Sequence, residues 1–116
     1  MFEVGFYEQE NGIVPMNAFL DNLEPKMRVK AIGALDLLAE FGNNLREPYS
    51  KALGDRLFEL RIKFSSDISR IFYFFVVDNR IILTNGFIKK TQKTPKREIA
   101  LARKYKKDYE RRMHHD

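Results

Sequence analysis

The chain has no cysteine, so neither disulfides nor thiolate metal ligands are open to it, an absence that suits a reducing cytosol. It has no apolar run near the roughly 20 residues that a membrane-spanning helix needs. Its start carries no basic stretch followed by an apolar one, so no signal peptide is expected. No internal repeat, linker or low-complexity tract interrupts the 116 residues. One domain over 1–116 is expected, with a core large enough to fold unstapled, in a soluble cytoplasmic protein. The only two histidines, His114 and His115, are adjacent; on a helix they diverge by about 100° and share a metal poorly. No His or carboxylate cluster elsewhere has ligand spacing, so neither metal nor cofactor is expected.

What is present is charge, unevenly placed. Residues 1–50 hold four Lys/Arg against eight Asp/Glu, a balance of −4, whereas residues 51–116 hold 17 against eight, or +9. The first half reads as scaffold and the second as a basic working surface suited to a polyanion. In the scaffold, Phe2, Val4 and Phe6 alternate as a short strand. Pro15 with Phe19, Leu20 and Leu23 predicts a short helix. Pro25 opens a longer one with an apolar stripe of Met27, Ala31, Ala34, Leu35, Leu38 and Phe41, stopped at Gly42.

The most informative segment is Leu57–Phe64, where Phe58, Leu60, Ile62 and Phe64 alternate with Glu59, Arg61 and Lys63. Period two is the mark of a strand with one face in a core. A short edge strand at 50–53 precedes it. Ser65–Ile68 is expected to turn the chain into a strand over 69–77, and Asp78-Asn79 to turn it into one over 80–88. The apolar Ile71–Val77 run predicts a central strand covered on both faces. Thr94 and Pro95 are expected to open a last helix packed through Ile99, Ala102, Tyr105, Tyr109 and Met113. With those turn lengths Lys63 opposes Arg70 and Arg70 opposes Phe87. One face then gathers Glu59, Arg61, Lys63, Arg70, Asn85, Phe87 and Lys89, while the other gathers Phe58, Leu60, Ile62, Phe64, Ile71, Tyr73 and Phe75.

Cations crowded on one face predict a phosphate-rich ligand, and Phe87 among them offers a stacking surface for an unpaired base. RNA can be cut without metal, because its own 2′-hydroxyl attacks the neighbouring phosphorus. A protein then has to orient the nucleotide, stabilise extra negative charge and move protons. Arg61, Arg70 and a lysine from Lys89 or Lys90 are candidates for the charge. Glu59 is open to two roles, general base or structural partner of Arg61 or Arg70. On the residues alone, nuclease and non-catalytic RNA or DNA binding stand level. The cationic last helix reads as a nucleic-acid contact or a solvated face.

The runs Leu57-Phe58-Glu59-Leu60-Arg61, Ser69-Arg70-Ile71-Phe72-Tyr73 and Thr84-Asn85-Gly86-Phe87-Ile88-Lys89-Lys90-Thr91-Gln92-Lys93-Thr94-Pro95 closely resemble the phage-derived HigB-like toxins of the RelE/ParE superfamily. Those toxins belong to type II toxin–antitoxin systems. The resemblance implies a small α+β fold: an antiparallel meander sheet, two N-terminal helices packed on one face and a basic C-terminal helix. It implies an endoribonuclease that cleaves mRNA on the ribosome and is silenced by a cognate antitoxin, a HigA-like helix-turn-helix protein. Catalytic roles would fall to Arg61, Arg70, Lys90 and Glu59, and RNA contacts to Lys63, Phe87, Lys89, Lys93, Lys96 and Arg97. Asn85 stands where many relatives carry histidine, and Glu59 where RelE-like enzymes tend to use lysine. The superfamily also holds inhibitors of DNA gyrase that cut nothing, which is the alternative reading.

Overall fold

The computed structural model describes residues 1–89 and 94–113, without the side chain of Lys89. The chain runs β1 (Glu3–Phe6), α1 (Pro15–Asp21), α2 (Pro25–Phe41), β2 (Ser50–Gly54), β3 (Leu57–Phe64), β4 (Asp67–Val76), β5 (Arg80–Lys89) and α3 (Lys96–Met113). The fold is α+β, a five-stranded sheet in the order β1-β5-β4-β3-β2. It is mixed rather than purely antiparallel, because β1 lies parallel to β5, with Val4 beside Ile81 and Phe6 beside Leu83. The alternation of Phe2, Val4 and Phe6 marks a strand but carries nothing about which neighbour it joins or in what direction. Among the described residues no helix is long and apolar enough to cross a membrane.

The β3–β4–β5 meander forms as the sequence predicts, with two adjustments of register. Ser65-Ser66 alone joins β3 to β4, so Phe64 opposes Asp67, Arg61 opposes Arg70 and Lys63 opposes Ile68. The expected Lys63–Arg70 pairing is therefore displaced by two residues. A shift of two keeps every side chain on its face, whereas a shift of one would have inverted them all. Between β4 and β5 the loop is one residue longer than Asp78-Asn79, with Val76 opposite Arg80. A bulge then restores the expected partner, Arg70 opposite Phe87, by setting Thr84 and Asn85 against the single Phe72.

Both sheet faces are covered. Helices α1 and α2 lie over Leu60, Ile62, Ile71, Tyr73, Ile81 and Leu83, to which α2 contributes Met27, Ala31 and Leu38. Phe41, expected in that stripe, is 44% exposed. It ends the helix where Gly42 takes φ +50° and where a Cβ would run into the Phe2 ring. On the other face α3 places Ala102 against Leu57 and Phe72, and Tyr105 and Tyr109 against Phe74 and Ile82. Met113 falls outside this packing at 56% exposed. Of the apolar run expected in the central strand, Ile71–Phe74 is buried, Phe75 and Val76 are half-buried, and Val77, 76% exposed, falls outside β4 in the loop to β5.

Candidate functional site

The site begins with two like charges set face to face. Arg61 of β3 and Arg70 of β4 are directly opposed, an arrangement that repels unless a counter-charge joins it. Glu59, two residues before Arg61 on the same face, provides one. Its Oε2 accepts from Arg61 Nε at 2.9 Å and from Arg70 Nη1 at 2.7 Å. Its Oε1 accepts from the Thr94 hydroxyl at 2.5 Å. Glu59 and Arg70 are 1% and 2% exposed, against 27% for the Arg61 side chain. Burial alone would raise the Glu59 pKa. The hydrogen bonds from Thr94, Arg61 and Arg70, with the positive charge of Arg70, outweigh it and hold the carboxyl below the usual glutamate range.

This geometry separates the roles. A buried carboxylate with both oxygens engaged and a lowered pKa is a weak proton acceptor, since efficient bases titrate near the working pH. Of the two roles open to Glu59 in the sequence, the structure shows the ion-pair partner. The enclosed Arg70 holds Glu59, Glu59 orients Arg61, and Arg61 alone of the three reaches the surface. Thr94, expected as a helix cap, instead places its hydroxyl on Glu59. The first turn of α3 is closed by the Pro95 carbonyl, which accepts from the Glu98 amide at 3.1 Å.

Outward from Arg61 lies a groove of ≈ 600 Å³ lined by Arg61 and Lys63 of β3, Lys30, Gly33 and Leu37 of α2, and Tyr49. β2 covers β3 only as far as Arg61, whose amide donates to the Tyr49 carbonyl at 2.8 Å. Lys30 places its ammonium 5.8 Å from the Phe64 ring centroid. Tyr49 is 54% exposed, a free aromatic surface beside three cations. Lys30 and Tyr49 come from the half of the sequence read as scaffold. An aromatic within the polar stretch just ahead of β2 was the available signal for Tyr49. For Lys30 there was none, because its position depends on how α2 crosses the sheet.

The other expected residues are scattered. Phe87 opposes Arg70, but one face of its ring stacks on Phe72 at 5.9 Å beneath α3. Lys96 and Arg97 are exposed at the start of α3. Lys89 closes β5 opposite Ile68, and Lys90 and Lys93 lie outside the described residues. Much of the α3 charge is used internally. Arg103 donates to the Leu53 carbonyl at 2.9 Å and pairs with Asp55 at 3.3 Å. Lys106 pairs with Glu110 at 2.8 Å, and Arg111 and Arg112 both pair with Asp108. Lys104 and Lys107 remain exposed to solvent.

Helices on both faces of a small sheet, with a basic helix last, make a fold compatible with the RelE-like class. Residues 18–107 match the family described as phage-derived protein Gp49-like (DUF891). The chain belongs to that family, a toxin-like group of the RelE/HigB type associated with toxin–antitoxin systems, and this implies an antitoxin partner. No curated protein matches the chain.

Proposed function

We propose that the protein is the toxin of a type II toxin–antitoxin pair and acts as a metal-independent endoribonuclease on mRNA at the ribosome. The observation that carries this reading is the anchored Arg61 guanidinium, held by Glu59 Oε2 at 2.9 Å at the edge of a groove that also presents Lys30, Lys63 and Tyr49. A single-stranded RNA laid in that groove finds cations for its phosphates and an aromatic face for a base. Arg61 then meets the scissile phosphate, where its fixed charge favours the extra negative charge that develops as the 2′-hydroxyl attacks. Glu59, Arg70 and Thr94 are positioning residues that keep this guanidinium from reorganising during the reaction. Lys90, in the chain after β5, and Lys63, Lys89, Lys93, Lys96 and Arg97 add charge along the RNA path. The antitoxin is proposed to be a HigA-like helix-turn-helix protein.

The test is induction of wild type and Arg61→Ala in growing cells, with transcript ends mapped. Wild type is expected to arrest growth and create new 5′ ends within coding regions, while Arg61→Ala creates few. Arrest by wild type with intact transcripts would overturn the nuclease reading and favour a non-enzymatic inhibitor of DNA gyrase or the ribosome.

A further inference from the structure

On the far side of the arginine pair, a cleft of ≈ 390 Å³ opens between α1, the distal half of β5 and α3, with Phe19, Asn85, Gly86, Glu98 and Tyr105 in its lining. Asn85 is 5% exposed, and neither its side-chain nitrogen nor its side-chain oxygen has a hydrogen-bond partner among the described residues. An unmade hydrogen bond at a buried group is costly, and native structures seldom leave one without a purpose. Two nearby hydroxyls have contacts of their own. The Thr84 hydroxyl donates to the Phe72 carbonyl at 3.4 Å, and the Tyr105 hydroxyl accepts from Gln9 at 3.3 Å.

The local backbone is built for this placement. Asn85 sits in the β4–β5 bulge, the device by which a strand re-aims a side chain. Next to it Gly86 leaves room for an aromatic wall, since a Cβ there would come within 2.9 Å of the Phe19 ring and 3.0 Å of the Arg70 carbonyl.

We propose that this cleft receives one unpaired nucleobase, packed against Phe19 and Tyr105 and read by the Asn85 amide. A carboxamide offers a donor and an acceptor side by side, the pattern that base edges complement, and apolar walls accept the rest of the ring. An acidic peptide segment fits less well, because Glu98 stands in the lining. Strand spacing places β5 about 5 Å from Arg70 and about 10 Å from Arg61, within reach of a nucleotide near a phosphate held by Arg61. The inference rests on the RNA reading above and adds what would give that site a base preference.

The test is titration of the nitrogen-15-labelled full chain with short 2′-O-methyl homopolymers of each base, which cannot be cut because the attacking hydroxyl is blocked. One base is expected to move the Asn85 side-chain amide resonance and to bind about tenfold or more tightly than the others. Asn85→Leu is expected to lose that preference, keep base-independent binding, and resist urea at least as well as wild type, since it removes two unsatisfied polar atoms. An Asn85 amide unmoved by every base, an unchanged preference in Asn85→Leu, or a lower urea midpoint in that variant would each overturn the proposal. Cleavage of RNA without these shifts sinks the base pocket alone; the shifts without cleavage sink the nuclease reading alone.

Discussion

Arg61 and Arg70 face one another across β3 and β4, and a single oxygen, Glu59 Oε2, accepts a hydrogen bond from each, at 2.9 Å and 2.7 Å. The pairing makes the site a property of the fold. Removing the carboxylate takes from the buried Arg70 a counter-charge that water cannot replace, whereas Arg61 can turn to solvent.

Glu59→Ala is therefore expected to lower stability by about 3–5 kcal/mol, the usual cost of breaking a buried ion pair on one side, read as a lower urea midpoint. The pH dependence has a fixed sign. The Glu59 pKa is lowered in the folded chain, so its contribution is complete above the pH where a free glutamate titrates. It is lost as pH falls from there through the folded value. The stability difference between wild type and Glu59→Gln should thus shrink on acidification, and a difference that grows would contradict the ion-pair role.

The groove beside Arg61 yields a separate expectation. Lys30, Lys63 and Tyr49 line it together, and each neutralised phosphate of a single strand adds about 0.7 to the salt dependence of binding. Lys30→Ala and Lys63→Ala should each reduce the slope of log affinity against log salt by about 0.7, with little change in base preference. Tyr49→Ala should weaken binding by about 1–3 kcal/mol, as lost base stacking does, while leaving the slope alone. Fluorescence anisotropy with a labelled single-stranded RNA at several salt concentrations separates the two effects.

The parts of this site legible in the sequence are those governed by period two. Glu59 and Arg61 share a face because they are two residues apart on one strand, and a turn of any even length brings Arg70 to that face. Which cation opposes Arg70 needed the length of the turn, and Ser65-Ser66-Asp67-Ile68 allows two residues or four. The bulge at Thr84-Asn85 was hidden for a related reason. The loop after β4 is one residue longer than expected and the bulge cancels it, so Arg70 opposite Phe87 emerged from two offsetting differences. The α3 cations could be sorted only in part. Lys106 with Glu110 and Asp108 with Arg112 are pairs four apart on one helix, which spacing alone offers. The partners Glu10, Leu53 and Asp55 lie about 50 to 100 positions away, and only the docked helix shows those.

Gly42 tests how tightly α2 is closed against β1. It takes φ +50° at the helix end, and a Cβ there would overlap the Phe2 ring. Phe2 is held in place by its own amide, which donates to the Ala39 carbonyl at 2.7 Å. Gly42→Ala meets both a left-handed backbone and a filled space, so a loss of about 2–4 kcal/mol is expected. Gly33→Ala, where a Cβ meets nothing within 4 Å in mid-helix, should instead stabilise by about 0.5–1 kcal/mol. Thermal unfolding of the two variants gives opposite shifts if α2 is held as described.

Tyr7 joins the two ends of the chain. Its hydroxyl donates to Asp108 of α3 at 2.6 Å, its ring stacks on Tyr105 at 4.8 Å, and the Arg112 guanidinium lies 5.5 Å from its centroid. Burial first, and then the hydrogen bond and negative charge of Asp108, push its pKa up to about 12. An acid whose folded pKa is raised stabilises the fold below its unfolded value, about 10, and loses that contribution as pH rises through the folded one. Wild type should therefore lose stability between about pH 10 and 12 more steeply than Tyr7→Phe, whose ring keeps the stack but has no proton to lose. Alkaline unfolding followed by far-ultraviolet circular dichroism measures the comparison. Equal steepness in the two proteins would mean that the Tyr7–Asp108 bond does not hold α3 to the sheet.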